Sequence, residues 1–67
     1  MEQEFFDRAV QCWQDMVFRL ALHQLGSYAD ADDAVQEVFL RLWRQKAPFA
    51  SDEHLRRWLM RVTVNWC

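Results

Sequence analysis

Apolar residues recur every three or four positions along nearly all of this chain, in three runs separated around Gly26 and Pro48, the only glycine and the only proline. That spacing stacks side chains on one face of an α-helix, and it leaves little room for any other regular structure. Phe5, Phe6, Ala9, Val10, Trp13, Met16, Val17, Leu20 and Ala21 predict a helix over residues 2–25. Gly26 suits the left-handed position just past its end, with Ser27, Tyr28 and Ala29 as a short connection. Asp30 has the chemistry of an N-cap, and Asp32 and Asp33 bring negative charge to the first turn of a second helix. This helix should run to about Gln45 and bury Ala31, Ala34, Val35, Val38, Phe39 and Leu42. Pro48 disfavours helix at Ala47 and opens a loop through Phe49 and Ala50. Ser51, followed by Asp52 and Glu53, caps a third helix whose stripe is Leu55, Trp58, Leu59, Val62 and Trp66. Trp13, Trp43 and Trp66 read as packing residues. The third stripe reaches the last turn without a stop signal, the pattern of a helix cut short.

Sixty-seven residues make one small domain, in a size range where a lone core is marginal. A chain that is 52% hydrophobic and 15% aromatic is too apolar for disorder, and one so poor in turn residues is unlike an all-β fold. The expectation is therefore an all-α, small three-helix bundle forming a single domain over residues 1–67. Cys12 and Cys67 match no metal or redox spacing and read as two reduced thiols. Glu2, Glu4 and Asp7 stand where a signal peptide carries positive charge, and no apolar run approaches the roughly 18 residues of a membrane span. These features predict a cytoplasmic protein with no membrane partner. His23 and His54 lack ligand-spaced partners and read as surface or helix-end residues. No nucleophile with a base, glycine-rich phosphate loop or carboxylate dyad stands out, so the sequence predicts neither an enzyme nor a metal or cofactor site.

Charge is divided unevenly. Residues 1–39 hold eight acids against Arg8 and Arg19, a net −6, whereas residues 40–67 hold six bases against Asp52 and Glu53, a net +4. Such polarity points to a polyanionic partner for the second half. The second helix also places Leu40 among Asp33, Gln36, Glu37 and Arg44 on its polar face. A lone exposed leucine is ordinary; the other reading is a docking patch, in which burying it against a partner contributes roughly 1.5–3 kcal/mol. On the third helix, Arg57, Met60, Arg61 and Val64 turn away from the core stripe, with Arg56 on the flank. This face is either a solvated surface or a grip for phosphates and bases.

Together, "DADDAVQEVFLRLWR" and, after a short loop, "LRRWLMRVTVN" resemble the region 2 domain of bacterial RNA polymerase sigma factors of the extracytoplasmic-function (ECF) group. The resemblance extends from Phe5 to Asn65. It implies that Asp33, Gln36, Glu37 and Leu40, with Arg41 and Arg44 nearby, bind the coiled coil of the largest subunit of core RNA polymerase. It further implies that the loop from Phe49 to Glu53 captures flipped bases of the −10 promoter element. Phe49 and Ser51 would then face DNA, with Arg56, Arg57, Arg61 and Asn65 gripping the strand. An anti-sigma factor is a further partner such a domain can have.

The chain departs from the family pattern at Met60, where an aromatic is common, and at Val64, where an arginine is common. Its loop reads Phe49-Ala50-Ser51 where Phe-Arg-Gly is frequent. These changes remove DNA-facing groups and leave the polymerase-facing ones intact. No counterpart of the helix-turn-helix domain that reads the −35 element is present, so the chain resembles a region 2 fragment or a degenerate relative. The alternative function is a helical interaction module derived from a sigma factor, binding a regulatory protein and not DNA.

Overall fold

The computed structural model describes residues 2–45 and 49–67 and contains three helices, α1 (Gln3–Leu25), α2 (Tyr28–Arg44) and α3 (Asp52–Trp66). Among the described residues there is no strand, so the expected all-α three-helix fold is what forms. The break expected at Ala47 and Pro48 lies outside the described residues, as does Lys46.

Each helix begins and ends for a local reason. Glu2 caps α1 by accepting a hydrogen bond from the Glu4 amide at 3.1 Å. Gly26 ends it with φ 70°, ψ 16°, and its N–H donates to the Leu22 carbonyl at 2.8 Å. An added Cβ there would meet nothing within 4 Å, so the backbone conformation and not crowding selects glycine. The start of α2 corrects the sequence reading. Ser27, not Asp30, is the N-cap: its Oγ accepts from the Asp30 amide at 3.4 Å, and Tyr28 and Ala29 belong to the helix. Starting three residues earlier also lets the Ala31 amide donate to the Ser27 carbonyl at 2.9 Å, and it puts the Asp30 carboxyl in the first turn near the exposed amides. Ser51 caps α3 as expected, with Oγ accepting from the His54 amide at 3.2 Å.

The three stripes meet in one main cluster in which Ala9, Val17, Val38, Phe39, Leu42, Leu55 and Leu59 are buried, closed at its rim by half-buried Phe5, Phe6, Trp13, Trp58 and Val62 among others. A smaller cluster of Ala21, Ala31 and Ala34 joins the end of α1 to the start of α2 under Phe18, Leu22 and Leu25. Alanines at this crossing carry nothing beyond Cβ and so permit a close approach of the two helices. Thr63 is buried although no apolar pattern marks it. Its Oγ1 donates to the Leu59 carbonyl at 2.6 Å, which satisfies the hydroxyl inside the core.

Two tryptophans depart from their expected packing roles. Trp66 is 37% exposed, because α3 stops contributing to the core at Thr63, one turn earlier. Trp43 is 40% exposed, yet it keeps one packing contact, with its ring edge-on to Phe6 at 5.0 Å. Both cysteines are free and exposed. Partial burial of its sulfur pushes the Cys67 thiol above the usual range.

Candidate functional site

Burial of the α2 stripe turns the opposite side of that helix outward. Asp33, Gln36, Leu40, Arg41 and Arg44 are exposed and Glu37 is half-buried. At spacings of three and four they form a single continuous face. Leu40 is 41% exposed, in contrast with Leu42, which is fully buried two positions along. Glu37 and Arg41 pair across one turn, Oε2 to Nε at 3.2 Å, which fixes both side chains beside Leu40. An exposed pair of this kind contributes only about 0.3–0.5 kcal/mol to the fold, so its main effect is on the shape of the surface. Gln36 also lines an open groove between α1 and α2, together with Gln14, Asp15, Phe18, Asp32 and Val35.

The second face lies on α3. Arg57, Met60, Arg61, Val64 and Asn65 are exposed, and Arg56 is half-buried. Glu53 organises two of the arginines. Arg56 grips it with both Nη2 (2.8 Å) and Nε (3.2 Å), and Arg57 Nε donates to the same carboxylate at 3.1 Å. These hydrogen bonds, the one from Arg56 first, hold the Glu53 carboxyl below its ordinary range, and the same partnership raises the Arg56 guanidinium. Arg56 Nη1 also reaches the Met60 sulfur at 3.3 Å. Among the described residues Arg61 forms no ion pair. The i, i+4 row of Arg57, Arg61 and Asn65, flanked by Met60 and Val64, thus carries one committed and one free guanidinium.

The loop ahead of α3 is less open than its sequence suggests. The Phe49 ring stacks on Phe5 at 6.3 Å and meets Trp58 edge-on at 5.6 Å, so it closes the core beneath the loop. The Ser51 hydroxyl oxygen is occupied as the α3 cap. The DNA-facing role that the resemblance implies for these two residues leaves out these structural engagements. Sequence reasoning missed Glu53 as a clamp on the arginines, although its spacing of three and four residues to Arg56 and Arg57 was the available signal. His54 takes the helix-end role open to it: in the first turn of α3 its Nδ1 accepts from the Ala50 amide at 3.1 Å. Among the described residues no group of three His, Cys, Asp or Glu side chains is placed to hold a metal ion, and no helix is long and apolar enough to cross a membrane.

Three packed helices, with a mixed polar and apolar face on the second and three arginines on the outward side of the third, define a small all-helical domain. The chain belongs to the Sigma-70 region 2 family, whose profile matches residues 9–67. Among curated proteins it is similar to the ECF RNA polymerase sigma factor SigG of Mycobacterium tuberculosis H37Rv, 48% identical over 42 residues that cover 63% of this chain and 11% of that protein. It is 35% identical over 60 residues to SigE of Mycolicibacterium smegmatis, covering 90% of this chain and 23% of that factor. With SigW of Bacillus subtilis it shares 28% identity over 64 residues, 96% of this chain and 34% of that one. The chain therefore spans between 11% and 34% of the length of these relatives. No solved structure gives a significant match. The resemblance of "DADDAVQEVFLRLWR" and "LRRWLMRVTVN" to ECF region 2 is thereby borne out at the level of family.

Proposed function

We propose that this chain is a sigma factor region 2 domain that acts in transcription initiation, binding core RNA polymerase through α2 and the −10 promoter element through residues 49–53, which lead into the first turn of α3, and the exposed face of α3. The observation that carries the reading is Leu40, 41% exposed between Asp33, Gln36 and Arg44 on a helix whose other side is sealed in the core. On this reading the coiled coil of the polymerase's largest subunit covers Leu40. Asp33, Gln36 and the Glu37–Arg41 pair orient the contact, and Arg44 lies at its edge. An anti-sigma factor would compete for the same face. The site of action is the cytoplasm, where core polymerase works.

On the DNA side the energetics favour a shared task. Opening about ten base pairs costs about 1.4 kcal/mol per stacked step, and each captured base returns about 1–3 kcal/mol. One or two bases held at the loop cannot keep a bubble open, so the domain traps a strand that the polymerase helps to separate. Arg61 and Asn65 supply the strand contacts that need no rearrangement; Arg56 and Arg57 must share themselves between Glu53 and phosphate. The test is recovery of core polymerase by the intact chain against Gln36→Ala and Leu40→Ala. Reduced recovery with both variants is expected, and equal recovery would remove the reading.

The commitment of Arg56 and Arg57 to Glu53 also favours a second reading, a sigma-derived module that binds a regulatory protein and leaves DNA alone. Titrating a −10 single strand at several salt concentrations separates the two. Phosphate contacts make affinity fall with salt in proportion to their number, whereas the module would show no strand binding even with polymerase present.

A further inference from the structure

Residues 49–51, just ahead of α3, are held by a side chain with no assigned role in binding. The His54 imidazole turns back over the start of its own helix, and its Nδ1 accepts from the Ala50 amide at 3.1 Å. A backbone N–H can only donate, so this bond requires a bare Nδ1, with the ring proton on Nε2. The backbone amide of the same residue donates to Ser51 Oγ at 3.2 Å, and the Leu55 amide donates to the Ser51 carbonyl at 3.1 Å. The arrangement is a capping box shifted by one residue: the third helical residue reaches past the cap to the amide before it. The other side of the loop is fixed by Phe49, whose ring lies 5.2 Å edge-on from the imidazole and stacks on Phe5. Phe49, Ala50 and Ser51 are thus held by His54 through a ring contact and two hydrogen bonds.

We propose that His54 is a positioning residue for strand capture. It does not touch DNA; it fixes the backbone of Ala50 and Ser51, both exposed ahead of α3, where a flipped base would be received. This rests on the reading of the loop as the −10 contact given above. Because Phe49, the Ala50 amide and both Ser51 oxygens are engaged internally, His54 can act on strand capture only through the position it gives this segment.

The test combines a spectroscopic signature with a rescue. Nitrogen-15 shifts of the imidazole in the 67-residue chain are expected to show Nδ1 bare and Nε2 protonated, and the Ala50 amide to exchange slowly. His54→Leu keeps an apolar contact to Phe49 but removes the acceptor. It should speed Ala50 exchange and weaken binding of a −10 single strand by the polymerase-bound chain about two- to tenfold, the range one hydrogen bond supplies. His54→Asn returns an acceptor two bonds from Cβ, where Nδ1 stood, and should recover affinity to within about twofold. The positioning role is overturned if Nδ1 carries the proton, if Ala50 exchange ignores the substitution, or if the leucine and asparagine variants both bind as the unaltered chain does. Absence of strand binding in all three proteins, with the imidazole signature intact, would overturn it differently, because the DNA reading itself would then have failed while the latch stood.

Discussion

Leu40 and Leu42 have the same chemistry and opposite surroundings, because two positions on an α-helix are rotated by more than half a turn. Leu42 is fully buried, and Leu42→Ala is expected to cost about 2–5 kcal/mol, a large share of what so small a domain has to lose. Leu40→Ala should change stability by less than about 0.5 kcal/mol. Urea denaturation of both variants checks the contrast, and a Leu40 cost comparable to that of Leu42 would mean the leucine is held inside. The inward assignment of the α2 stripe was legible in the sequence because spacing alone decides it. What covers the outward leucine was not, since exposure looks the same in a string of letters whether water or a partner lies beyond it. Ser27 shows a different limit. The sequence reading puts the cap at Asp30 and Ser27 in the connection, and the difference depends on whether Tyr28 and Ala29 turn with the helix.

At the scale of elements, Glu53 holds two guanidinium groups of α3 for which any phosphate would have to compete. Glu53→Gln releases Arg56 and Arg57 from their ion pairs. The variant is expected to bind a −10 strand more tightly in the polymerase complex and to show a salt slope steeper by about one to two phosphate contacts. An unchanged slope would remove these arginines from the strand contact. The pairing also has a pH signature with a definite sign. The carboxyl is depressed in the folded state, so its stabilisation is present above the ordinary Glu range and is lost as pH falls through the lowered folded value. Melting curves of the unaltered chain and Glu53→Gln should therefore converge only in acid, well below neutrality. In the α1–α2 turn, Gly26→Ala should cost about 1–2 kcal/mol through the left-handed backbone alone, read as a lower midpoint with no change in partner binding. Element boundaries near Gly26 and Ser51 followed from local chemistry. The outward turn of Trp66 and the burial of Thr63 did not, because periodicity cannot say how far the neighbouring helices extend.

Across the molecule, a body of 32 × 18 × 18 Å carries its acids mainly on α1 and the start of α2 and its bases beyond them. A net charge of −2 gives the free chain little general attraction for nucleic acid. The domain on its own is expected to leave a duplex promoter closed, and to bind its single strand measurably only when polymerase holds it. The helical architecture was readable almost whole from the three stripes. The candidate site was readable only in its outline, because the contacts that set it, Glu53 on two arginines, His54 on the loop and Phe49 in the core, are made by side chains whose apolar or charged character points equally well elsewhere. The central claim is that the outward side of α2 is covered by core RNA polymerase. Equilibrium titration of core polymerase with the unaltered chain and with Leu40→Ala tests it most directly. The account predicts a Kd raised roughly tenfold or more by the substitution, with helix content and denaturation midpoint unmoved; identical Kd values for the two proteins, or no saturable binding by either, would contradict it.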